Sequence, residues 1–244
     1  MHTSTRNIVE LGERPPSIAD VVAVARDGAR VTLTPSALQR IAHSRAIIDA
    51  LADDARPHYG VSTGFGALAG VQIPREKRTQ LQRSVVRSHA AGTGPEVERE
   101  VVRALMLLRL STLTTGRTGV RPVVAETYAA ILNAGITPVV HEYGSLGCSG
   151  DLSPLAHCAL ALLGEGLGRV GADSHQTPID AASALQAAGI APVVLQEKEG
   201  LALINGTDGM LGMLCLALHD LASLLRSADL AAAASVEALL GADA

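Results

Sequence analysis

Apolar positions along the chain recur mostly at steps of three and four, the spacing of helices rather than strands. "TPSALQRIAHSRAIIDALA" puts Leu38, Ile41, Ala42, Ile48 and Ala52 on one helical face, with Arg45 as its polar interruption. Thr34 suits the N-cap of that helix and Pro35 its first turn. "HYGVSTGFGALAG", with glycines at 60, 64, 66 and 70, reads as a mobile loop. "REKRTQLQRSVVRSHA" then sets Leu81, Val85 and His89 four apart on a second helix. In "TGPEVEREVVRALMLLRLSTLTTG" apolar residues occupy most of the circumference, which predicts a central helix ending at Gly116. Thr93 and Glu96 stand at capping-box spacing before it. "RPVVAETYAAILNAG" predicts a further helix stopped by Gly135, and "ITPVVHEYG" the one strand-like piece.

The longest pattern comes last. From Leu211, apolar residues recur at 214, 218, 221, 225, 228, 232, 236 and 239, and no Gly or Pro falls between Met213 and Leu240. This is the seam of a long bundle helix, and nothing earlier in the chain is long enough to cover it. The expected architecture is mainly α: an N-terminal helical domain over residues 1–199, then the start of a long central helix bundle over 200–244. Composition agrees, because 48% of residues are hydrophobic and only 2% aromatic, so the core is aliphatic and Ala-rich.

Charge narrows the function. The net charge is −4 and the Lys/Arg residues are scattered, which argues against nucleic-acid binding. The opening "MHTSTRNIVELGERPP" holds no apolar run, so no secretory signal is expected. The apolar stretch 201–240 is broken by Asn205, Asp208, His219, Asp220, Arg226, Asp229 and Glu237, which predicts a buried helix of a soluble protein and no membrane span. Cys148, Cys158 and Cys215 form no close pairing motif, which suggests the reducing cytoplasm. "GEGLG" at 164–168 lacks dinucleotide spacing, "GVSTGFG" has no P-loop lysine, and His141, His157 and Cys158 lack zinc-ligand spacing. Neither a nucleotide nor a metal is expected.

The chemistry concentrates in "YGSLGCSGDLSPLAH", residues 143–157. A bland reading is a glycine turn in which Asp151 or Ser153 caps a helix with Pro154 in its first turn. A hydrolase elbow is poorly supported, since Gly-x-Ser-x-Gly would need glycine where Asp151 stands. A third reading uses every residue. The Gly150 nitrogen attacks the Cys148 carbonyl, a five-membered ring closes with loss of water, and Ser149 loses its hydroxyl as a second water. Only glycine at 150 leaves that nitrogen uncrowded. The product is a 4-methylidene-imidazol-5-one, an electrophile made without added cofactor and set at a helix N-terminus that stabilises incoming negative charge.

With "YGVSTGFGAL", "LQRSVVRSHAAGTG", "GVRP" and "GLALINGTDGM" in the same order, "GSLGCSGDLSPLAH" resembles the aromatic amino acid lyases that carry this prosthetic group. Most members have Ala-Ser-Gly where this chain has Cys148-Ser149-Gly150, and the cysteine side chain lies outside the ring. The resemblance implies that Tyr59 belongs to a lid loop and is a candidate base for the substrate β-proton, with Phe65 and Gly66 supporting it. Ser88 and His89 correspond to the substrate selector; Ser-His there implies L-histidine, where Phe-Leu implies phenylalanine and His-Leu tyrosine. Asn205 would hold the ring or the substrate carboxylate, besides capping the long helix with Thr207, and Asp151 would assist ring closure. The implied reaction is loss of ammonia from L-histidine to trans-urocanate by a homotetramer. Family members continue well beyond this length, so the half-length chain is expected to be inactive alone. A phenylalanine or tyrosine lyase or aminomutase, and a non-catalytic helical fragment with Ser149 unmodified, remain as alternatives.

Overall fold

The computed structural model describes residues 7–148, 150–172 and 176–241. The chain is mainly α. A short parallel pair, β1 (Ile8–Leu11) and β2 (Arg30–Leu33), flanks α1 (Ile18–Ala25). Ser17 and Asp20 form a reciprocal capping box there: the Asp20 amide donates to the Ser17 hydroxyl at 3.2 Å and the Ser17 amide to the Asp20 carboxylate at 2.8 Å. Helix α2 (Pro35–Asp53) starts at Thr34, whose hydroxyl accepts from the Ala37 amide, as its sequence predicts. Its buried face is Ala37, Ile41, Arg45 and Ala52; Ala42 is exposed. The expected polar interruption is therefore part of the packing. Arg45 donates to the Glu197 carbonyl at 2.9 Å and to the Asp49 carboxylate at 2.7 Å.

Helix α3 (Arg75–His89) leads into β3 (Thr93–Glu96), and α4 (Arg99–Thr114) follows. This corrects the capping-box expectation. Thr93 pairs with Tyr143 and Glu96 with His141 of β5 (His141–Tyr143), Glu96 also binds Arg169, and α4 has no side-chain cap. The non-local pairing outcompetes the local motif. Helix α4 is the central element, with Val102, Leu105, Met106, Leu107, Leu110 and Leu113 all buried. Around it lie α5 (Pro122–Asn133), β4 (Ile136–Pro138), α6 (Leu152–Leu162), β6 (Leu167–Val170), β7 (Ile179–Asp180), α7 (Ala181–Ala187), α8 (Glu199–Ile204) and α9 (Asp208–Ala238). The expectation of a single strand piece was too low: β4, β6 and β7 form an antiparallel sheet beside the two strand pairs.

Helix α9 packs its start on α4 and α1 through Gly209, Gly212, Cys215 and Leu216. Arg26, at the C-terminal end of α1, ties it further along, bridging Asp220 and Glu100. Beyond Asp220 the helix is exposed on all sides, so the sequence expectation of a buried helix fails for its second half. Residues 199–238 are long and apolar enough, by length and composition, to cross a membrane, with a mean hydropathy of 1.6 in the best window. That helix, however, begins packed in the core and carries Asp220, Arg226, Asp229 and Glu237 along its exposed part. Its free apolar seam, from Leu211 and Leu214 through Leu218, Leu221 and Leu225, is the face predicted from periodicity.

Candidate active site

The residues of interest converge around the start of α6 and the turn joining α8 to α9. Gly147 and Cys148 both take positive φ, at 67° and 58°, and the Gly150 amide donates to the Gly147 carbonyl at 3.4 Å. A left-handed cysteine is uncommon and marks a backbone held in place by its surroundings. Ser149, the expected source of the methylidene, lies outside the described residues. Gly150 is seated directly on the next segment. A side-chain carbon there would stand 3.2 Å from both the Asn205 side-chain oxygen and the Gly206 nitrogen, and 3.3 Å from the Gly206 carbonyl. The Asp151 amide donates to that same carbonyl at 2.6 Å.

Asp151 does not cap its own helix. Its carboxylate, 1% exposed, accepts from the Gly209 and Met210 amides at 2.9 and 3.0 Å, and so caps α9. Thr207, the residue at the N-cap position, makes no side-chain cap, and Asn205 closes α8 instead of capping α9. The other Asp151 oxygen accepts from Ser145 at 2.6 Å, and the Ser145 oxygen in turn accepts from the Gly147 amide at 3.2 Å. One carboxylate thus fastens the 145–150 loop to the N-terminus of α9. Sequence reading places Asp151 at the site but misses this exchange of caps, because the partner amides lie far along the chain.

Ser88 and His89 close α3. His89 Nδ1 lies 2.8 Å from the Val85 carbonyl, which fixes the proton on Nδ1 and leaves Nε2 an acceptor. The Ser88 hydroxyl donates to the same carbonyl at 3.0 Å. Three residues on, a side-chain carbon on Gly92 would stand 3.1 Å from the His157 ring and 3.2 Å from the Ser153 hydroxyl. Gly144 packs on Gly92 and Ser153 as well, so the end of α3 lies beside the loop that carries Cys148. Tyr59 stands on the glycine-rich loop, half exposed, edge-on to Phe65 with ring centroids 5.9 Å apart. Its hydroxyl accepts from the Gly66 amide at 3.4 Å, and Gly66 opens a single 3-10 turn. Gly60 of this loop packs towards Leu201 of α8. Among the described residues, no hydrogen bond or ion pair joins Tyr59 or His89 to the Gly150–Asn205 pair.

On α6, His157 Nε2 accepts from the Gly92 amide at 3.1 Å. Burial, and then the neighbouring His141 ring, hold its pKa below the ordinary 6.5. The unfolded chain therefore takes up this proton first as pH falls. The stabilising contribution is complete above about pH 6.5 and is lost as pH drops towards the folded-state value. His157→Gln, which retains an acceptor for Gly92, is expected to flatten that part of the curve, measured by urea unfolding between about pH 5 and 7.5. Cys158, one residue on, is buried, which pushes its thiol up to about 12 and keeps it unionised; Cys148 is exposed.

The left-handed turn ahead of α6 is thus seated on the N-terminal turn of α9 and locked to it by one shared carboxylate. The family profile of the aromatic amino acid lyases matches residues 17–244, and the chain belongs to that family. Histidine ammonia-lyase of Streptomyces griseus is 63% identical over 243 residues, covering 100% of this chain and 46% of that protein. The Symbiobacterium thermophilum histidine ammonia-lyase is 48% identical, covering 95% of this chain and 45% of its own length. Among solved structures, histidine ammonia-lyase from Trypanosoma cruzi superposes with a TM-score of 0.88 at 34% identity, covering 96% of this chain and 44% of that one. Tyrosine aminomutase from Streptomyces globisporus gives 0.79 at 39%, covering 85% and 38%. The chain spans about half the length of the curated relatives it matches.

Proposed function

We propose that this chain supplies the prosthetic-group half of a cytoplasmic, tetrameric enzyme that removes ammonia from L-histidine to leave trans-urocanate. In this reading, residues 1–199 form the domain that presents the ring, and residues 200–244 begin the bundle through which subunits assemble. The observation that carries it is the seat of Gly150: a side-chain carbon there would stand 3.2–3.3 Å from Asn205 and Gly206, tighter than an ordinary contact, beside a left-handed Cys148. A ring closed from Cys148, Ser149 and Gly150 fits that cradle. Asn205 and the Gly206 backbone would hold it, and the N-terminus of α6 would face the negative charge that develops there. The ring, once formed, offers an electron-poor methylidene carbon to the substrate amine.

The remaining work falls to side chains. His89, with its proton held on Nδ1 by Val85, presents Nε2 to the N–H of a substrate imidazole. Ser88, small beside it, leaves room for that ring. Tyr59 takes the β-proton from the loop over the site, with Phe65 packed edge-on to its ring and the Gly66 amide on its oxygen. Asn205 holds the prosthetic ring or the substrate carboxylate, and Asp151 fixes the turn during closure. The experiment pairs this chain with a second polypeptide spanning the remainder of the Streptomyces griseus relative. Urocanate should form from L-histidine in the complemented protein and not with residues 1–244 alone, and the chain should be lighter by two waters. Faster turnover of L-tyrosine or L-phenylalanine would favour the phenylalanine/tyrosine lyase or aminomutase reading. An unreduced mass in the complemented material would leave a non-catalytic helical fragment.

A further inference from the structure

A fully buried ion pair lies against the Asn205–Gly206 turn. Arg109 of α4 is 1% exposed and Asp208, the first residue of α9, is 6% exposed. Arg109 Nη1 donates to the Ala202 carbonyl of α8 at 3.1 Å, while Nη2 donates to the Asp208 carboxylate. Thr112 donates to the other Asp208 oxygen at 3.2 Å. One guanidinium therefore bridges the end of α8 to the start of α9, across the turn that bears Asn205 and Gly206. A side-chain carbon on Gly206 would coincide with Arg109 Nη2 and the Asp208 carboxylate, so the turn rests on the pair without a gap.

Stability alone gives little reason for such a pair. Removing two charges from water offsets much of their attraction, and apolar residues of similar volume commonly serve as well or better. Among the described residues, Arg109 Nε moreover has no hydrogen-bond partner. What the pair adds is a fixed height for Gly206. We propose that Arg109 and Asp208 are positioning residues for closure of the Cys148–Ser149–Gly150 ring, acting through the Asn205–Gly206 turn; this rests on the ring chemistry of the proposed function. Closure joins the Gly150 nitrogen to the Cys148 carbonyl carbon. That carbonyl oxygen leaves as water with the Gly150 and Ser149 amide protons, and a carbon–nitrogen double bond forms to Ser149. A second water removes the Ser149 hydroxyl and its α-proton, leaving the methylidene, and no oxidant is needed. The Gly206 carbonyl holds the Asp151 amide at 2.6 Å, one residue beyond the attacking nitrogen, so any tilt of Gly206 passes directly to Gly150.

The test follows the intact mass of freshly made chain in the complemented protein, alongside its thermal midpoint. The double variant Arg109→Met/Asp208→Leu should melt at or above the wild-type temperature yet lose its two waters about 100-fold more slowly, the scale of a small misplacement of reacting groups. Asp208→Glu, which keeps a charge opposite Arg109 but lengthens the bridge under the turn, should be slowed about tenfold and covers the case in which the double variant does not fold. Wild-type kinetics of water loss in the folded double variant, or in Asp208→Glu if the former is insoluble, would overturn the proposal while leaving the ring chemistry intact. A wild-type chain that never loses the waters would overturn both.

Discussion

Gly150→Ala is expected to arrest the chain in its linear form and abolish deamination by the complemented protein. The added carbon would stand 3.2–3.3 Å from three atoms of the Asn205–Gly206 turn, two of them backbone. That turn cannot easily yield, because Gly206 is backed by the Arg109–Asp208 pair. The same carbon crowds the nitrogen that must attack the Cys148 carbonyl. A misplacement of reacting atoms by about 1 Å costs on the order of 100-fold in such intramolecular steps, and crowding at the attacking nitrogen adds to the smaller shift needed here, so closure should fall by about that factor. Mass spectrometry reads the outcome: the variant should keep both waters while the wild type loses them. A variant that cyclises at the wild-type rate would show that the tight seat at Gly150 has no part in the chemistry.

His89→Phe is expected to lower kcat/KM for L-histidine by about 100-fold and to raise it for L-phenylalanine. The loss corresponds to a hydrogen bond of roughly 2–3 kcal/mol between His89 Nε2 and a polarised imidazole N–H. The gain follows because a phenyl group in place of the acceptor no longer leaves a polar atom unpaired against an apolar substrate. Steady-state kinetics on both amino acids measures the crossover. Equal losses on both would mean that His89 supports the end of α3 without choosing the substrate.

Local patterns carried much of this fold. The Thr34 cap, the apolar girth of α4, the stop at Gly135 and the uncovered seam of α9 are all properties of neighbouring residues, and each is present in the structure. What escaped were features whose partners lie far away in sequence. Thr93 and Glu96 match a helix-start motif but pair with β5, and Asp151 caps α9 across a separation of almost sixty residues rather than its own helix. Arg45 reads as a polar break in an apolar face, yet it is buried and donates to the Glu197 carbonyl, while Arg109, which drew no notice in sequence, is buried on the Ala202 carbonyl and the Asp208 carboxylate. Gly150 stood out in sequence because the ring closure read there admits only glycine, and Cys148 and Asn205 stood out through the motifs that carry the family resemblance. The device beneath them did not, since nothing local distinguishes Asp208 or Arg109 from an ordinary surface charge.

Helix α9 has a consequence for the ring loop. It is gripped by α1 and α4 only as far as Asp220, while its first amides are held by Asp151. From Leu221 to Ala238 it projects about 27 Å into solvent at 1.5 Å per residue. That is a lever whose fulcrum is the Arg26–Asp220 contact, with the turn held by Asp151 at the end of its short arm. A load at the far tip is felt as torque there, and stiffening the fulcrum steadies the tip in return.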